Sequence, residues 1–112
     1  MTSPSDELKA AATRLRNLAT AATPGPWEQT GIGDYGWNVT FGHTTAGVET
    51  EDSDQGRADA DYIATMGPNV GLRLADWLTS WDGADIDEYA AMPDDLRHAL
   101  LIARVINTGG QP

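Results

Sequence analysis

The sequence contains no cysteine, which excludes a disulfide scaffold, a thiol catalyst and a cysteine-ligated zinc finger. Basic residues are scarce: 7 Lys and Arg stand against 17 Asp and Glu, a net charge of −10. That balance argues against direct binding of nucleic acid, which rests on clustered Lys and Arg neutralising phosphates. Large aliphatic residues are also few. Leu, Ile, Val and Phe number 19 of 112 residues, near the level at which highly charged chains fail to fold. Four Trp, three Tyr and three Met offset this in part. No apolar run reaches the ~18 residues that a membrane-spanning helix needs, so no membrane partner is expected. The opening Met1-Thr2-Ser3-Pro4-Ser5-Asp6-Glu7 is polar and acidic, unlike a signal or transit peptide, and a cytoplasmic location is expected.

What remains predicts one small α+β domain over residues 1–112, with 1–4 and 108–112 as frayed tails. Ser5 is the expected N-cap of a first helix, with Asp6 and Glu7 in its first turn. Leu8, Ala12, Leu15, Leu18, Ala19 and Ala22 share one face at 3.6-residue spacing. Thr23-Pro24-Gly25-Pro26 ends it. Trp37, Val39 and Phe41 then alternate with Asn38 and Thr40, the pattern of a half-buried strand. Strands are expected near 27–30, 36–41 and 46–50, forming a three-stranded antiparallel meander. Gly31-Ile32-Gly33-Asp34 and Gly42-His43-Thr44-Thr45 are the turns. So small a sheet needs helices packed on it, and two to four follow. Ala60, Ile63, Ala64 and Met66 mark one helix that ends at Gly67-Pro68; Pro68 opens the next, carrying Val70, Leu74, Trp77, Leu78 and Trp81 to a stop at Gly83. An acidic connector, with a turn of helix at 86–91, leads to a last helix from Pro93, apolar nearly all round between Leu100 and Ile106. Low aliphatic content and that two-sided helix favour a homo-oligomer.

Candidate chemistry is sparse. His43 and His98 stand apart, and His98 with Asp94 is an i, i+4 pair on a helix face rather than a metal site. Asp52-Ser53-Asp54-Gln55-Gly56 shares the opening of a calcium loop, but its glycine is one place early and no Glu holds the twelfth position. None of the serines sits in a Gly-x-Ser-x-Gly turn. The glycines from Gly31 to Gly36 fit a tight turn better than a phosphate loop. No catalytic residue, cofactor or metal ligand is therefore assigned, and a non-enzyme is expected. The seven bases are scattered over predicted helices, whereas the acids cluster at Glu49–Asp61 and Asp82–Asp95. These clusters serve solubility, or form an acidic docking face or DNA mimic for a basic partner. With Tyr35 and Trp37, which flank a glycine on the turn side of the meander, they make the candidate binding residues Tyr35, Trp37, His43, Glu51, Asp52, Asp54, Asp85, Asp87 and Glu88.

Ala22-Thr23-Pro24-Gly25-Pro26-Trp27 after an Ala-, Leu- and Arg-rich helix resembles a box found in the Ead-like family of early phage proteins and their relatives in actinobacterial phages and prophages. Ala60-Asp61-Tyr62-Ile63-Ala64, then Pro68 and a Leu-rich helix, is similar to the family's second segment, and His98-Ala99-Leu100-Leu101-Ile102-Ala103-Arg104 to its last helix. The resemblance covers about half of the chain. It implies an accessory phage protein acting in the host cytoplasm, with no catalytic residues to carry over. The stretch from Trp81 to Met92 departs from shorter members as an inserted acidic connector. Binding to a host protein, in host takeover or counter-defence, is the leading expectation. The alternative is an oligomeric sponge for a nucleotide signal, for which the chain offers Tyr35, Trp37, Arg57 and Arg73.

Overall fold

The computed structural model describes residues 2–111. Of the stretches expected to fray, Met1 and Pro112 lie outside the described residues. The architecture is α+β, in the expected order: α1 (Pro4–Ala21), β1 (Trp27–Ile32), β2 (Trp37–Phe41), β3 (Gly47–Glu49), α2 (Asp54–Thr65), α3 (Pro68–Thr79) and α4 (Asp94–Asn107). The strands form one antiparallel sheet in the order β1-β2-β3. The chain gathers into two compact units: a helical unit of residues up to Leu18 and from Leu72 onward, and a sheet unit of Ala19–Gly71.

In the helical unit the core consists of Leu8, Ala11, Ala12, Leu78, Leu96, Ala99, Leu100 and Ala103, with Trp77, Trp81, Ile86, Met92 and Ile106 packed against it. The alternation of leucine with alanine lets helices approach closely, and Leu78 is fully buried. The cap of α1 is Ser3 rather than Ser5: the Asp6 N–H donates to Ser3 Oγ at 3.1 Å. Pro4, with its preset φ and no N–H to satisfy, fits the first helical position and moves the start two residues earlier. Burial on α1 is confined to its first half, and Leu18, expected on the buried face, is 56% exposed. The turn of helix expected at 86–91 does not form. The Asp87 carboxylate accepts from the Tyr89 N–H at 3.0 Å, a side-chain turn that competes with helix. On α4, Asp94 pairs with Arg97 rather than His98, which is exposed. Leu101 and Val105 remain exposed on that helix, whereas Leu96, Ala99, Leu100 and Ala103 are buried.

In the sheet unit α2 lies against β1 and β2, and the buried side chains there include Val39, Ala60 and Pro68. Trp27 takes over where leucine is missing. Its ring stacks on Phe41 at 4.1 Å, its Nε1 donates to the Thr23 carbonyl at 2.9 Å, and Gly67 packs so closely that a Cβ there would lie 3.2 Å from the Trp27 Cγ. β1 runs two residues further than expected, to Ile32, by means of a bulge between Gln29 and Gly31, where Gly31 takes φ +98°. β3 is shorter than expected, because Ala46 and Thr50 serve as its flanks. Met66, expected on the buried face of α2, is its exposed C-cap.

Candidate functional site

The candidate binding residues separate into three places. The first is a corner of the sheet unit where the β1–β2 turn meets the segment after β3. In that turn the Gly33 N–H donates to the Gly36 carbonyl at 2.7 Å, and Tyr35 projects at the tip, 84% exposed. The Tyr35 N–H donates to Glu49 Oε2 at 3.1 Å. Gly36 is buried, and a Cβ there would overlap the Thr50 carbonyl oxygen, so only glycine lets the turn press on this segment. The Thr50 N–H donates to the Trp37 carbonyl at 2.8 Å, and Thr50 Oγ1 donates to the Gly56 carbonyl. Tyr35 and Trp37 are thereby brought beside Glu51 and Asp52, a meeting that depends on strand register.

The same corner starts α2. Ser53 is its N-cap: Ser53 Oγ accepts from the Gly56 N–H at 3.0 Å and donates to Glu51 Oε2 at 3.0 Å. Asp54 lies in the first turn, where the helix dipole favours a carboxylate. Arg57, one turn on, lies over the Trp37 ring at 5.1 Å. Glu49 joins the site without having been singled out as a binding residue; Arg57, named with Tyr35, Trp37 and Arg73 for the sponge reading, meets Trp37 here, whereas Arg73 belongs to the helical unit. The Trp37–Val39–Phe41 alternation shows a strand but not which helix covers it.

His43 sits in the β2–β3 turn, exposed, at the other end of β2 from Tyr35 and Trp37. Asp85, Asp87 and Glu88 belong to the helical unit. There Glu88 Oε2 accepts from Arg104 Nη2 at 2.8 Å, and Glu7 Oε2 accepts from Arg104 Nε at 3.1 Å. The hydrogen bond to Glu88 is the main cause raising the Arg104 guanidinium above its usual range; burial opposes it, and the hydrogen bond to Glu7 and the charges of both carboxylates add to the rise. Glu88 thus anchors the connector to α4. A cavity of ≈ 380 Å³ beside this pair is lined by Glu88, Met92, Arg97, Leu100, Leu101 and Arg104.

Charge separates the two units more sharply than sequence position does. The sheet unit holds eight carboxylates, Glu28, Asp34, Glu49, Glu51, Asp52, Asp54, Asp59 and Asp61, against the single base Arg57, a net −7 with His43 neutral. The helical unit holds nine acids and six bases, a net −3. All four ion pairs among the described residues lie in the helical unit: Arg16–Asp76, Arg97–Asp94, Arg104–Glu7 and Arg104–Glu88. In the sheet unit, Asp59 and Asp61 accept only from the neutral amides of Gln55 and Gln29. Among the described residues no group of three His, Asp or Glu is placed to hold a metal ion, and no helix is long and apolar enough to cross a membrane.

Comparison with protein-family models, with curated proteins and with solved structures gave no match for this chain.

Proposed function

We propose that this chain is a non-enzymatic accessory protein of the Ead-like phage kind, acting in the host cytoplasm by binding a basic host protein. One observation carries the binding reading: the sheet unit has a net charge of −7, none of it consumed in ion pairs. Carboxylates without local counterions repel one another, a cost that a cationic partner removes on docking. The 84% exposed Tyr35 supplies a large amphipathic contact beside them. Self-association belongs to the same reading, supported by the exposed Leu101 and Val105 on α4; sedimentation of the pure protein as a monomer at high micromolar concentration removes that part. The nucleotide-sponge alternative draws less support. The one base of the sheet unit is Arg57, and its guanidinium already lies over the Trp37 ring at 5.1 Å.

The test is capture from lysate of an actinobacterial host on the tagged full chain, with bound proteins and nucleotides both identified. One stoichiometric protein should be retained, and raising salt from about 0.05 to about 0.5 M should release it, because screening removes charge-led association. Glu51→Gln combined with Asp52→Asn and Asp54→Asn should weaken retention. A partner held equally by this variant and at high salt refutes the acidic-face reading. Release of a nucleotide from the denatured protein, with no protein partner, replaces it by the sponge.

A further inference from the structure

The sheet has two outer edges, on β1 and β3, and they are built differently. The β1 edge is blunted. Its register slips between Gln29 and Gly31, the Gly31 N–H is taken by Gln29 Oε1 at 2.6 Å, and Pro26 precedes the strand. Bulges and prolines at such places deter added strands. β3 carries neither. It runs in regular register with Val48 opposite Val39. The Thr50 N–H donates to the Trp37 carbonyl at 2.8 Å and the Phe41 N–H to the Ala46 carbonyl at 2.9 Å. Those bonds fix the phase of the ladder. Antiparallel alternation then turns the N–H and C=O groups of Gly47 and Glu49 away from β2. None of these four groups has a partner among the described residues, and every residue of β3 is exposed. A groove of ≈ 320 Å³ lies on the sheet face shared by Asn38, Thr40, Gly47 and Glu49 and reaches β3.

Charge selects the occupant. Natural edges are often guarded by lysine, but no Lys or Arg occurs between Arg16 and Arg57. Glu49 lies on the edge itself, and Glu51 and Asp52 follow it. A second copy would set two net −7 units edge to edge. We infer that the β3 edge accepts an extended, Lys- or Arg-bearing segment of the partner protein as a fourth strand. The segment's main chain bonds to Gly47 and Glu49, and its cations lie beside Glu49 and Glu51. This rests on the protein-binding reading above and names how the partner is held.

The probe is a short synthetic peptide alternating Lys or Arg with Val, titrated into the full chain. It is compared with two copies N-methylated on alternate residues, one in each phase. Strand addition predicts that one phase of methylation weakens binding more than about tenfold and the other by less than about twofold, since only one row of N–H groups faces the edge. Amide exchange at Gly47 and Glu49 should slow on binding by about tenfold or more, with Val48, already paired to Val39, unchanged. Glu49→Pro removes the outward donor together with the carboxylate that accepts from the Tyr35 N–H, and Glu49→Ala removes that carboxylate alone and keeps the donor. The first should cost about tenfold more affinity than the second, with circular dichroism confirming the native fold of both. Equal loss in both methylation phases, with exchange at Gly47 and Glu49 unchanged, overturns strand addition. It leaves charge-led binding intact. Failure of the lysate capture is instead the failure of that broader reading, so the two are told apart.

Discussion

The two units solve the shortage of large aliphatic side chains in opposite ways. All nine leucines lie in the helical unit, and the sheet unit has none. The helical unit therefore builds an aliphatic core and pairs its charges around it, with Arg104 spanning Glu7 and Glu88. The sheet unit substitutes close backbone approach and aromatic stacking: Gly36 against Thr50, Gly56 against Glu51, Gly67 against Trp27, and Trp27 on Phe41. Among the described residues its carboxylates form no ion pair, and those of Glu49, Glu51, Asp59 and Asp61 accept only from neutral donors. A region that ties up its charge in its own architecture has little left for a partner, and a region that does not is the better place to look for binding.

The four tryptophans divide evenly, Trp77 and Trp81 in the helical unit and Trp27 and Trp37 in the sheet unit. Fluorinated tryptophan therefore reports each unit by NMR during urea unfolding. The largest effect is expected from Leu78→Ala. It removes a fully buried side chain from the aliphatic core and should cost about 2–5 kcal/mol, read as a lower midpoint for the Trp77 and Trp81 signals. Gly56→Ala should be next. The added methyl overlaps the Glu51 carbonyl oxygen, backbone that cannot move aside cheaply, and about 1–3 kcal/mol is expected at the Trp27 and Trp37 signals. If Gly56→Ala proves neutral, the sheet unit does not depend on close backbone approach, and the contrast between the two cores is lost.

How much of this the sequence showed follows from the range of each interaction. The order of helices and strands was legible because it rests on local periodicity and on proline and glycine stops such as Pro24-Gly25-Pro26 and Pro68. The cap of α1 was misplaced at Ser5, because Pro4 suits the first helical position and leaves Ser3 to cap it. The 86–91 stretch misled because acidic residues suit a helix start, while Asp87 bonds its own turn instead. At the candidate site the aromatic and acidic residues were legible one by one. Their meeting was not, because it depends on Gly36 abutting Thr50, fourteen residues away, through the register of two strand pairs. Nor could the acidic clusters be ranked from sequence. Glu88 and Glu51 look alike until Arg104 is found beside only the first.

Ser53→Ala sharpens the link between stability and the site. It removes the N-cap of α2 and the bond to Glu51, and should cost about 1 kcal/mol. Urea midpoints at the Trp37 signal measure it, and Ser53→Asp, which keeps a capping oxygen, should recover most of the loss. Full stability in Ser53→Ala would mean that Thr50, donating to the Gly56 carbonyl, holds this corner without the cap.

The smallest effects bear most directly on the contrast in charge. Glu88→Gln removes one of the two carboxylates on Arg104, in a pair whose side chains are 40% and 34% exposed. It should destabilise by less than about 1 kcal/mol, as partly exposed ion pairs do. Asp34→Asn removes a carboxylate from the β1–β2 turn that has no bonding partner among the described residues, and asparagine suits the same turn. It should stabilise slightly, by relieving repulsion within a unit of net −7. The two substitutions delete the same unit of charge and are expected to act with opposite signs. Urea midpoints at low salt measure both, and added salt should shrink both differences as screening sets in. If Asp34→Asn destabilises as Glu88→Gln does, charge repulsion is not a cost within the sheet unit, and a cationic partner would relieve nothing by docking there.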